Sequence, residues 1–148
     1  MEKEVTVMEV KVTKKYVSLK KANTLIPKVR EIMTSLIKLN NVIKMAESVE
    51  IEFEDEFEFM INDVRTNMQL NKLSYEYYKK LAQLVELGCF PKDIEQGLLD
   101  FYSQHDEREI FLCWQIGEEK IMHWHETDEG YDERKPIAIL FNDIKKRR

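Results

Sequence analysis

Two histidines one residue apart, His123 and His125, lie in the stretch His123-Trp124-His125-Glu126, which Asp128 follows. On an extended strand, side chains two apart share a face, so both imidazoles project to one side and Trp124 and Glu126 to the other. Imidazole and carboxylate both suit zinc, iron or manganese, and a His-x-His pair with a nearby carboxylate offers three donors to one ion. His125, His123, Glu126 and Asp128 are therefore the candidate metal ligands, and Asp100 is a further carboxylate for the set. The competing reading of this spacing is a pair of exposed or singly hydrogen-bonded histidines near a strand end.

Asp100 sits in Gly97-Leu98-Leu99-Asp100-Phe101-Tyr102 and shares a strand face with Leu98 and Tyr102. A carboxylate in such company must be paired or hydrogen-bonded to stay ionised. Arg108, Arg134 and His125 are the available partners. Pairing with His125 would give a carboxylate-oriented imidazole suited to proton transfer, whereas a salt bridge would be purely structural. Trp114 and Trp124 fall on neighbouring strands, where large aromatics serve the core first and a flat ligand second. Asp100, Trp114, Trp124, His125 and Arg134 are thus the candidate ligand-binding residues.

Other chemistries lack support. There is no Gly-rich phosphate loop, nucleophile elbow or Ser/His/Asp ordering. Cys89 and Cys113 show no CxxC spacing, which argues against a zinc knuckle or disulfide framework, and Cys113 reads as a small reduced core residue, poorly placed to act as a nucleophile. The acidic turn around Asp128 lacks the alternation of a calcium loop. A net charge of −5 and a pI near 5.4 disfavour nucleic acid as a partner. No apolar run is long enough to span a bilayer and the N-terminus is not signal-like, so a cytoplasmic location is expected.

The elements that must position these residues follow from periodicity. With 148 residues and 43% hydrophobic content the chain can bury one core, and scarce glycine and proline favour regular structure. Alternation over residues 4–13 predicts a strand within an N-terminal extension, 1–15. Ser18 is the expected N-cap of a helix, and Pro27 should either kink that helix or begin a new segment, of which the kink is expected. Val29, Ile32, Met33, Leu36, Ile37, Ile43 and Met45 carry that helix to about Ala46. Residues 47–58 are ambiguous, with seven acidic positions in twelve. The stripe Phe53, Phe57, Met60, Ile61, Val64, Met68, Tyr75, Tyr78, Ala82 and Val85 then predicts a second helix, stopped by Gly88, with a break allowed near Asn71 to Ser74.

Two amphipathic helices in succession predict an antiparallel hairpin over 18–88, packed through these stripes. After Pro91 the period becomes two and predicts an antiparallel β-meander over 89–141, ending in a strand at Ile137 to Phe141 and a basic tail over 142–148. The expected class is α+β, in one domain.

Leu19 to Pro27, Gly97-Leu98-Leu99-Asp100-Phe101, Leu112-Cys113-Trp114, Gly117-Glu118, Trp124-His125-Glu126, Asp128 and Gly130 together resemble an uncharacterised microbial family, domain of unknown function 2203. The resemblance runs from about Tyr16 to Pro136. It implies no activity, cofactor or catalytic residue. Asp100, Trp114, Trp124, His125, Asp128 and Gly130 match its pattern, whereas His123 departs from it, which argues against a family-wide role for His123.

Two functions of different kinds follow. One is a small-molecule or divalent-metal site on the meander, using His125 with Asp100, Glu126 and Asp128 beside the tryptophans. The other is a non-enzymatic module whose helical hairpin forms homo-oligomers or docks to a partner, with Phe53, Tyr75 and Tyr78 at the contact.

Overall fold

The computed structural model describes residues 14–140. The strand expected over 4–13 and the basic tail lie outside them. The fold is α+β, with two long packed helices followed by a five-stranded antiparallel sheet in the order β1-β2-β3-β4-β5. Among the described residues no helix is long and apolar enough to cross a membrane.

Helix α1 spans Leu19–Ser48 and opens where Ser18 Oγ accepts the Lys21 N–H at 3.1 Å, as its cap position predicts. It runs unbroken through Pro27, so no new segment starts there. Ala22, Ile26, Val29, Met33 and Leu36 recur every three or four residues and are all buried. This stripe forms one core with Leu99, Phe101, Ile110, Leu112, Trp114 and Trp124 of the sheet and with Leu84.

Helix α2 spans Glu56–Glu86, is capped by Asp55, and continues without a break past Asn71 to Ser74. Its orientation corrects the sequence reading. Phe57, Met60, Val64, Met68, Tyr75 and Tyr78 do not face α1 but are all more than half exposed. The α1 side is instead the row Thr66, Leu70, Leu73, Tyr77, Leu81 and Leu84, of which Tyr77, Leu81 and Leu84 meet the core. The helix carries two apolar stripes on opposite sides, and the leucine-rich one lies next to the sheet, where it joins the larger core.

Strands β1 (Cys89–Asp93), β2 (Leu98–His105), β3 (Arg108–Gln115), β4 (His123–Glu126) and β5 (Lys135–Pro136) form the sheet. The two-residue turn Asp106-Glu107, with φ of 51° and 63°, sets His105 opposite Arg108 and so fixes the β2–β3 register. Cys89, Leu99, Phe101, Ile110, Leu112, Trp114 and Trp124 point towards the helices, which leaves alternate residues on the far face.

Residues 137–140 are helical, correcting the strand expected there. The Ile137 N–H still bonds the Met122 carbonyl at 2.9 Å. The adjacent Ile121 N–H bonds Asn23 Oδ1 of α1 at 2.8 Å.

Candidate functional site

The far face of the sheet carries two neighbouring rungs. Asp100 pairs in register with Cys113 and Cys113 with His123; Tyr102 pairs with Phe111 and Phe111 with His125. Asp100 and His125 therefore stand on β2 and β4, with β3 between them. Cys113 presents only a small side chain there, so the two longer ones meet across it.

His125 Nε2 lies 3.1 and 3.2 Å from the two Asp100 carboxylate oxygens, and each residue is 1% exposed. Its Nδ1 lies 2.8 Å from the Glu126 carbonyl oxygen. A carbonyl only accepts, so Nδ1 carries a proton and Nε2 is the nitrogen left to exchange one. Burial works against the imidazolium, but the Asp100 carboxylate and the Glu126 carbonyl outweigh it and raise the His125 pKa above its ordinary value.

Cys113 completes the group. One donor atom from each of Asp100, Cys113 and His125 lies within 4.8 Å of the other two, and all three residues are buried. Burial, followed by the Asp100 charge, pushes the Cys113 thiol up to about 12, while the Arg134 guanidinium beside it acts in the opposite sense. Arg134 also donates to the Tyr131 hydroxyl at 2.9 Å and stacks on that ring at 4.1 Å, yet its Nη1 is buried without a hydrogen-bond partner.

Sequence reasoning missed Cys113 as a member of this group. The signal was present, because a two-residue turn at Asp106-Glu107 with His105 opposite Arg108 counts back to Asp100 opposite Cys113.

The other candidates lie elsewhere. Trp114 and Trp124 are buried on the helix side of the sheet, the opposite face from Asp100 and His125. Trp114 Nε1 donates to the Glu118 carbonyl at 2.9 Å. Glu126 is 2.8 Å from Arg108, so that arginine serves Glu126 rather than Asp100. Asp128 is exposed in the turn after β4. His123 occupies the same rung as Cys113, but its Nδ1 is 3.8 Å from the Glu118 carboxylate and has no hydrogen-bond partner. The structure thus joins Asp100 and His125, sets Arg134 beside them through Cys113, and places Trp114, Trp124 and the Glu126 carboxylate, which pairs with Arg108, apart from them.

The family model for domain of unknown function 2203, an uncharacterized conserved protein, matches residues 15–137. The chain belongs to this family. No curated protein and no solved structure matches it. Within the matched residues, Asp100 and His125 touch on the far face of the sheet, while Trp114 and Trp124 lie in the core on its other side.

Proposed function

We propose that the protein binds a divalent transition metal, zinc foremost, through Asp100, Cys113 Sγ and His125 Nε2. The observation that carries this reading is the convergence of three buried donors of the kinds zinc accepts, within 4.8 Å of one another. Bonds of roughly 2.0 to 2.3 Å to a tetrahedral ion place donors about 3.3 to 3.7 Å apart, so a contraction of about 1 Å closes the group on an ion. The Nδ1 bond to the Glu126 carbonyl supports the reading, since ligating histidines are commonly oriented through their other nitrogen. Arg134 would donate to the thiolate that the ion creates. Three protein donors leave the fourth tetrahedral position for water or a small ligand, the composition of reactive rather than closed zinc sites.

Elemental mass spectrometry of the untagged full chain tests this, with Cys113→Ser and His125→Ala as variants. About one zinc per chain is expected in the wild type, with large losses in both variants. Cobalt-loaded wild type should also show a thiolate-to-metal absorption that Cys113→Ser lacks. A wild type that takes up none of zinc, cobalt, iron or manganese, or a folded Cys113→Ser protein with full zinc occupancy, overturns the proposal. The His125–Asp100 pair would then be a structural ion pair.

A further inference from the structure

The end of the helical hairpin, residues 45–64, has no share in the core. The last buried residue of α1 is Leu36, and α2 has none before Leu84. At this end Met45, Val49, Ile51, Phe57, Phe59 and Met60 are between 51% and 69% exposed. Val49, Ile51 and Phe53, in the connection between the helices, line a groove of about 430 Å³ together with Ala46 and Phe59. Apolar surface gathered in this way marks a place where another segment docks.

Charge selects what fits it. Between Met45 and Val64 the chain has eight acidic residues and no basic one, which leaves the rest of the chain three charges positive. Glu50, Glu52 and Glu54 alternate with Val49, Ile51 and Phe53, and none of the eight forms an ion pair among the described residues. An apolar groove with an unpaired anionic border takes a segment that is both apolar and cationic. The chain itself contains one. Phe141-Asn142-Asp143-Ile144-Lys145-Lys146-Arg147-Arg148 holds its only run of more than two basic residues. Lys and Arg lay their alkyl stems on apolar surface while their charged heads reach carboxylates.

Reach excludes the groove of the same copy. The Ile137 N–H bonds the Met122 carbonyl and the Ile121 N–H bonds Asn23, so this segment starts beside the first turns of α1. From Asn23 to Ser48 the helix rises about 38 Å. Residues 137–140 are helical and add about 6 Å, and residues 141–145 extend at most about 18 Å. Lys145 therefore stops short of Ser48, and the groove lies beyond it.

We infer that Ile144 to Arg148 of one copy dock at the hairpin end of a second copy, with Ile144 in the groove and the four basic side chains along its acidic border. So short a segment buries less than the roughly 800 Å² each partner gives up in a stable complex. The association is therefore weak, in the micromolar range, and falls with salt.

Sedimentation velocity of the full chain at about 50 mM and about 500 mM salt tests this, with charge exchange on both sides of the contact. The wild type should self-associate at tens of micromolar in low salt and at least tenfold more weakly in high salt. Lys145→Glu, Lys146→Glu, Arg147→Glu and Arg148→Glu together should weaken association at least tenfold in low salt. Glu50→Lys, Glu52→Lys and Glu54→Lys together should do the same, with the circular dichroism spectrum unchanged because none of the three caps a helix. An equimolar mixture of the two variants should associate like the wild type, since reversed segment then meets reversed groove and native meets native. Ile51→Cys with Ile144→Cys in one chain should give cross-links between copies under mild oxidation, the native Cys89 and Cys113 being buried. A monomeric wild type, variants that associate as the wild type does, or a mixture that fails to recover overturns the inference. So does a cross-link closed within one chain.

Discussion

Asp100 and His125 stand on strands separated by β3, yet His125 Nε2 lies 3.1 and 3.2 Å from both Asp100 carboxylate oxygens, with each residue 1% exposed. The contact ties the two strands together over Cys113 and fixes the protonation of a histidine whose other nitrogen already donates to a carbonyl. A buried pair of this kind carries a desolvation cost, and removing one partner is more damaging than having neither.

The His125 pKa is raised in the folded protein, so the imidazolium is favoured there relative to the unfolded chain, where it titrates near 6.5. Its contribution to stability is fully present below about pH 6.5 and is lost as pH rises through the folded value. Metal-free wild type should therefore lose stability between pH 6 and pH 9 by more than His125→Gln does. Urea unfolding at several pH values checks this, and parallel pH profiles for the two proteins would refute it.

Asp100→Ala should cost about 3 kcal/mol or more, because it strands the imidazole without a partner in the interior. Asp100→Asn keeps a side chain able to donate to neutral Nε2 and should cost only about 1–2 kcal/mol. In that variant the His125 titration followed by NMR should move below the wild-type value. Equal losses from the two substitutions would mean that packing, not charge, is what Asp100 supplies.

How much of this was legible in the sequence depended on which physical signal was local. The cap at Ser18, the stop at Gly88 and the period-two strands follow from short-range chemistry, and so the hairpin and meander were readable. Which side of α2 faces inwards is a tertiary choice between two apolar stripes, and periodicity ranks the stripes without saying what lies next to each. Trp114 and Trp124 share a neighbourhood with Asp100 and His125 along the chain, but strand parity sends them to the opposite face. Cys113 was hidden by its type, since a cysteine between Leu112 and Trp114 looks like filling until the β2–β3 register sets it against Asp100.

Metal uptake should release protons. The ion must displace the proton on His125 Nε2 and that on the Cys113 thiol, which burial holds at a pKa of about 12. Zinc affinity should therefore rise steeply with pH, with about two protons released per ion near neutral pH in wild type and about one in Cys113→Ser. Titration calorimetry in buffers of different ionisation enthalpy counts these protons. A pH-independent affinity would rule out the ligand set proposed for the site.

The turn that leads into β2 should be intolerant of any side chain. Gly97 has φ of +66°, and a Cβ there would lie 2.3 Å from Ile116 Cγ2 and 2.8 Å from Ile116 Cβ. Its carbonyl also accepts the Ile116 N–H at 2.9 Å, so the two backbones cannot simply separate. Gly97→Ala should cost roughly 2–3 kcal/mol through this clash and the left-handed backbone together. Ile116→Ala in the same chain should recover only part of the loss, because it removes Cγ2 but leaves Cβ and the strained φ. Thermal unfolding of the two proteins decides the matter. Full recovery would assign the whole cost to the side-chain clash, and a Gly97→Ala protein as stable as wild type would show that the β2–β3 end of the sheet relaxes freely, contrary to the rigid scaffold Asp100 and Cys113 require.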